Sequence, residues 1–154
     1  EKEYSTNKLA IKQIAALPLM TMIDDAKKEG INLNVISAYR TNERQKELYN
    51  NSVKKNGKKH ALLYSAKPGH SEHQLGLAVD LNTTQEKFKN TKEYAWLKEN
   101  AHKYGFIERY PKGKEDITGF NYEPWHYRYL GVDIATKIYN ENITFEEYIV
   151  KYSK

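Results

Sequence analysis

"SEHQLGLAVD", residues 71–80, sets a histidine and an aspartate seven positions apart with Gly76 between them, and it ends inside an apolar run. Seven residues is too far for one helical turn. Gly76 permits a tight bend, however, after which a strand over "LGLAVDL" can bring Asp80 back beside His73. Two such donors invite a metal, and a catalytic zinc typically takes three protein ligands and keeps one position open for water. The candidate third ligand is His126 in "EPWHYRY", 123–129, with Glu123 three residues before it. A nearby carboxylate that is not a ligand can take the proton of that water, which is the logic of a metallopeptidase. Each piece alone is weak, since a lone histidine beside a strand is more often a structural residue and an aspartate ending an apolar run is more often a cap. The combination is what points to metal chemistry.

The bulk properties allow this reading. At 154 residues the chain is the size of one domain, and with 39% hydrophobic and 12% aromatic residues it can build a core without disulfides. It has no cysteine, so any zinc must be held by histidine and carboxylate. No stretch approaches the roughly 20 apolar residues of a membrane span, and "EKEYSTNK" at the start lacks the apolar segment of a signal peptide. The formal net charge of +5 suits an anionic partner, but dispersed lysines without stacking aromatics are a poor nucleic-acid signal. The most basic stretch, "VKKNGKKH" at 53–60, reads as a solvated loop around Gly57.

Along the chain, Leu19, Met22, Ile23 and Ala26 fall at helical spacing after Pro18, with Gly30 as a stop. "INLNVIS", 31–37, alternates as a half-buried strand. Thr41 can cap a helix over about 42–55 that buries Leu48, Tyr49 and Val53. Asn90 with Glu93 suggests the start of another, on which Tyr94, Leu97, Ala101 and Tyr104 share a face up to Gly105. "FIERY" and "WHYRYLG" are strand candidates with a turn-rich connection, and Thr144 with Glu147 is a capping box for a final short helix. There is no internal repeat. Helices and strands without regular βαβ alternation predict an α+β fold, helices packed around a small, mainly antiparallel sheet.

"SEHQLGLAVD" resembles the S-x-H-x-x-G-x-A-x-D signature, and "EPWH" the E-x-W-H signature, of VanY-type D-alanyl-D-alanine carboxypeptidases and the related LdcB-type L,D-carboxypeptidases. "SAYRTNERQKELY" (37–49), "PGHSEHQLGLAVDL" (68–81) and the stretch 104–131 follow that family's order and spacing, so the resemblance covers roughly 31–131 of a single 1–154 domain. It departs only in "SAY" for the more usual "SGY" and in Thr41 for serine. The resemblance implies one zinc ion per chain on His73, Asp80 and His126, with Glu123 as catalytic base and then acid. It places Arg40 at the scissile carbonyl oxygen or the substrate carboxylate, Ser71 on the terminal carboxylate, and Gln45 as a further substrate contact. A guanidinium suits either position, because it stabilises an oxyanion or clamps a carboxylate.

Trp125 and Tyr127 are substrate-binding candidates that can equally be core or pocket wall. Arg128 can pair with a carboxylate or help bind substrate, His70 lies beside the site where it can support the ligands, and His60 and His102 are read as surface or helix residues. The implied activity is removal of a C-terminal D-alanine from peptidoglycan stem peptides, D,D first and L,D on tetrapeptide stems as the alternative. A rival of another class is a non-catalytic, zinc-stabilised wall-binding module, for which Glu123 would be dispensable. The expected partners are stem peptides rather than nucleic acid, and the expected state is a monomer without membrane insertion. The expected location is outside the cytoplasmic membrane or in the wall, with any signal or anchor upstream of residue 1.

Overall fold

The computed structural model describes residues 9–153; the stretch "EKEYSTNK", read above for its lack of an apolar leader, lies outside them. Helix α1, Gln13–Lys28, buries Ala15, Leu19, Met22 and Ala26. It begins five residues before Pro18, earlier than expected, because its buried stripe starts at Ala15 and carries the proline inside the helix. Alternate burial of Ile31 and Leu33 follows, but the strand β1 itself is only Val35–Ser37. Ahead of it the Asn82 side chain stands in for a neighbouring strand, accepting from Asn34 N–H at 2.7 Å and donating to the Asn32 carbonyl at 2.9 Å.

Thr41 caps α2, Asn42–Asn56, by accepting from Arg44 N–H. Gly57, at φ +83°, separates it from α3, Lys58–Tyr64, so the basic stretch 53–60 is two helix ends around one glycine rather than a loop. Helix α3 buries only Ala61, too narrow a stripe to be visible as periodicity. Strand β2 is Ala78–Leu81, α4 is Lys92–Asn100 and β3 is Phe106–Glu108. Thr91 rather than Asn90 caps α4, its hydroxyl accepting from Tyr94 N–H. A single helical turn, α5, spans Glu115–Thr118, and β4 is His126–Tyr129. Helix α6, Val132–Glu141, which the sequence pattern did not announce, precedes α7, Phe145–Tyr152, whose start carries the expected capping box of Thr144 and Glu147.

The four strands form an antiparallel sheet in the order β1-β2-β4-β3, which agrees with the α+β expectation. Residues alternate between its faces. Val79 and Leu81 of β2, Phe106 of β3 and Tyr127 of β4 enter the main core with α1 and α4. Asp80, His126 and Arg128 point the other way. On that second face Ile107 of β3 packs with Ala135 and Ile138 of α6, joined by Phe145 and Tyr148 of α7. Among the described residues no helix is long and apolar enough to cross a membrane.

Candidate active site

Strand register explains why residues far apart in sequence meet. Asp80 pairs with His126 across β2 and β4, and with Ser37 across β1 and β2, so these side chains stand in one row on the same face. His73 arrives from a 3-10 turn, Glu72–Leu75, that ends at Gly76 in the left-handed region. That turn is also close-packed, since a Cβ on Gly76 would meet Lys12 Cγ at 3.2 Å. Glu123 and His126 close a turn through a bond from His126 N–H to the Glu123 carbonyl at 3.2 Å, which sets the Glu123 carboxylate beside the ring.

His73, Asp80 and His126 are all buried, and one ligand atom from each lies within 4.8 Å of the others, a set that could hold a metal ion. Both imidazoles have one nitrogen occupied from behind. His73 Nδ1 is 2.6 Å from the Ala38 carbonyl, leaving Nε2 3.2 Å from Asp80 Oδ2. His126 Nε2 is 3.3 Å from Glu72 Oε2, leaving Nδ1 3.1 Å from Asp80 Oδ1. Metal-ligating histidines commonly donate their other N–H to a carbonyl or carboxylate in this way.

The electrostatics also ask for a cation. Burial alone would push Asp80 up, but hydrogen bonds from His126 and His73 hold it well below the usual carboxylate range. For His126, burial disfavours the charged ring, yet the bonds to Asp80 and Glu72 and the charge of Glu123 push it up to about 10. Positive charge is therefore stabilised where the three ligands meet, and with only nitrogen and oxygen donors available the set fits a borderline ion such as zinc.

Glu123 Oε2 lies 3.7 Å from His126 Nδ1. Burial, with Asp80 and Glu72 nearby and His126 and Arg40 opposing, raises its carboxyl to about 7. Arg40 donates from NH1 to Gln45 Oε1 and from NH2 to Ser37 Oγ, both at 2.9 Å, and NH2 is 3.9 Å from Asp80 Oδ2. Glu123, Arg40, Gln45 and Asp80 line a cavity of about 310 Å³ together with Ser71, Trp125, Tyr64 and Phe120.

The structure thus brings together His73, Asp80, His126, Glu123, Arg40, Ser71 and Trp125. Gln45 borders the cavity but is almost fully buried, and it spends its amide on Arg40, the Ser65 hydroxyl and the Ala66 carbonyl. Tyr127 is the exception among the candidates: strand alternation turns it into the core, away from the cleft. His70 is exposed and outside the lining. His60 stacks on Tyr64 and His102 on Tyr139, neither near the cluster.

Sequence reasoning missed Glu72, which sits in the opening stretch itself. Its Oε1 accepts from Arg109 Nε at 2.7 Å and from Arg128 NH1 at 2.9 Å. These bonds, with His126, take its carboxyl down to about 2 against a desolvation that would raise it. A carboxylate next to a candidate ligand in a turn otherwise poor in charge was the available signal.

The family model described as "VanY: D-alanyl-D-alanine carboxypeptidase" matches residues 8–132. The chain is 46% identical over 158 residues to YodJ of Bacillus subtilis strain 168, a match covering 99% of this chain and 58% of that protein, so the chain spans little more than half of that relative's length. Among solved structures it is similar to the LdcB LD-carboxypeptidase, at TM-score 0.89 and 44% identity over 97% of this chain and 73% of that one. It is also similar to a vancomycin-resistance D,D-pentapeptidase VanY variant in complex with Zn(II), at TM-score 0.84 and 40% identity over 96% and 88% of the two chains.

Proposed function

The chain belongs to the VanY D-alanyl-D-alanine carboxypeptidase family, and from that premise we propose that it is a zinc-dependent carboxypeptidase removing the C-terminal D-alanine of peptidoglycan stem peptides. The observation that carries the reading is the meeting of His73, Asp80 and His126 in one cleft with Glu123 and Arg40 beside them. A wall-binding module needs the first three only. The proposal takes the whole chain as one catalytic domain that binds one zinc ion, acts as a monomer, and works outside the cytoplasmic membrane where its substrate is.

Zinc held by His73, Asp80 and His126 supplies a Lewis acid that acidifies water and polarises the scissile carbonyl. The chain's own residues do the rest. Glu123 takes a proton from the attacking water as the carbon–oxygen bond forms, then gives a proton to the amine of the departing D-alanine as the carbon–nitrogen bond breaks. Arg40, oriented by Ser37 and Gln45, directs its remaining N–H groups to the carbonyl oxygen or the terminal carboxylate. Ser71 binds that carboxylate from the turn that carries His73. Gln45 acts on the substrate through Arg40 and the Ser65–Ala66 segment.

The similarity to LdcB favours a second reading, cleavage of the L,D bond in a tetrapeptide stem. Ligands, base and guanidinium serve either stereochemistry, and the cavity wall formed by Tyr64, Ser65, Ala66, Thr84 and Phe120 is where the difference would be made. Incubating the protein with pentapeptide and tetrapeptide stems, with and without a chelator, and weighing the products decides among the readings. Chelator-sensitive loss of one alanine from the pentapeptide alone supports D,D cleavage, and loss from the tetrapeptide supports L,D. Zinc binding without cleavage of either sinks the hydrolase.

A further inference from the structure

His126 faces two carboxylates, Asp80 at Nδ1 and Glu72 at Nε2. A neutral imidazole carries one proton, and if it sits on Nδ1 that nitrogen donates to Asp80 and has no lone pair for a metal. A carboxylate held at Nε2 draws the proton there and leaves Nδ1 open. Glu72 is fixed in the orientation this requires, because its Oε1 is taken by Arg109 and Arg128 and Oε2 is the oxygen presented to the ring. The arginines are themselves held. Phe145 lies 5.4 Å from the Arg109 guanidinium carbon and 5.8 Å from that of Arg128, and Tyr110 lies 5.0 Å from Arg109. The far edge of Arg109 donates through NH1 and NH2 to the two carboxylate oxygens of Glu146, a bidentate pair.

Glu146 stands in the first turn of α7, the helix opened by the Thr144 and Glu147 capping box. That helix lies beyond residue 132, where the family match ends. A continuous chain of ion pairs therefore runs from the partly exposed Glu146 of α7 through the buried Arg109 and the largely buried Glu72 to His126. Two carboxylates and two guanidiniums balance along it, so its inner members leave no uncompensated charge.

We propose that Glu72 is a positioning residue that reserves His126 Nδ1 for the metal, and that Glu146 of the C-terminal helix sets metal affinity through Arg109 and Glu72. This rests on the reading of His73, Asp80 and His126 as zinc ligands. The test is zinc affinity of the whole chain, measured by competition with a chromophoric chelator, for the unaltered protein, Glu72→Ala, Glu72→Gln, Glu146→Gln and the double variant Glu72→Ala with Glu146→Gln. Melting of each metal-free form reports the fold separately.

Glu72→Ala should weaken zinc binding about 10- to 100-fold. Glu72→Gln should weaken it as well, because its one amide oxygen is claimed by the two guanidiniums and its NH2 then faces Nε2, where a donor cannot accept the ring proton. Glu146→Gln should weaken binding about threefold or more, and that loss should vanish in the Glu72→Ala background, since the path is already cut. Unchanged affinity in Glu72→Ala and Glu146→Gln, even where melting falls, reduces the network to a structural one and overturns the proposal. Additive losses overturn the coupling. Should Glu72→Ala not fold, Glu72→Gln takes its place in the cycle with the same criterion. An unaltered protein that binds no zinc fails earlier and differently, at the ligand assignment.

Discussion

The cleft has two unlike walls. One is the sheet, where Asp80 and His126 sit opposite each other on hydrogen-bonded strands and each imidazole is braced from behind by a carbonyl or carboxylate. The other is the helical hairpin α2–α3 and the segment after it, where Gln45 is the one buried residue of α2 and Tyr64, Leu62 and Leu63 are exposed. Catalytic groups must be held to fractions of an ångström, and paired strands do that better than a hairpin attached along one edge. The difference teaches a division of labour: the sheet wall carries the chemistry, and the hairpin wall meets the substrate and tunes which one fits. Arg40 lies at the seam, bonded to Ser37 of β1 on one side and Gln45 of α2 on the other.

The sheet wall should give the largest effects. Asp80→Ala removes the carboxylate to which both imidazoles point, so zinc content and hydrolysis should be lost together. Metal analysis of the purified variant checks the first and product mass the second. Retention of full zinc content would break the ligand assignment. Glu123→Gln comes next, because it keeps the shape and removes only the proton acceptor. Turnover should fall on the order of 10³-fold with zinc still bound.

At the seam, Arg40→Lys keeps a charge but cannot hold Ser37, Gln45 and a substrate oxygen at once. The expected loss in kcat/KM is about 10²-fold. Gln45→Ala sharpens the comparison, since it acts on Arg40 without touching the metal cluster. It frees the Ala66 carbonyl and one Arg40 donor in a buried place, which should cost about 1–3 kcal/mol in unfolding experiments and roughly tenfold in kcat/KM. An unchanged kcat/KM in a folded Gln45→Ala protein would detach the hairpin from the chemistry altogether.

The two walls were also unequally legible in the sequence. The ligands could be read because their spacings reflect local geometry: one tight turn after His73, one strand to Asp80, and a three-residue turn from Glu123 to His126. The α+β class followed from elements with clear periodicity, such as the α1 stripe and the alternation from Ile31. Helix α3 could not be read, since lysines around Gly57 look the same in a loop as in two helix ends and only Ala61 is buried. Glu72, Arg109 and Glu146 were hidden for another reason. Each is an ordinary surface charge until the β3–β4 register and the docking of α7 set them against one another, so their meaning lies in tertiary pairing.

The smallest effect should come from the exposed end of the hairpin wall. Tyr64 borders the cavity with its ring stacked on His60 at 4.4 Å, and more than half of its surface is open to solvent. Removing it with Tyr64→Ala leaves every ligand, Arg40 and Glu123 in place, so kcat on the preferred stem should change little. What can change is the preference itself, because a wall that rejects a substrate by shape alone discriminates by about 1–3 kcal/mol. The ratio of kcat/KM for pentapeptide to that for tetrapeptide should therefore shift by about tenfold or more while the better of the two stays within about threefold. A kcat loss comparable to that of Arg40→Lys, with the ratio unmoved, would place Tyr64 among the groups acting on the reaction and erase the distinction between the walls.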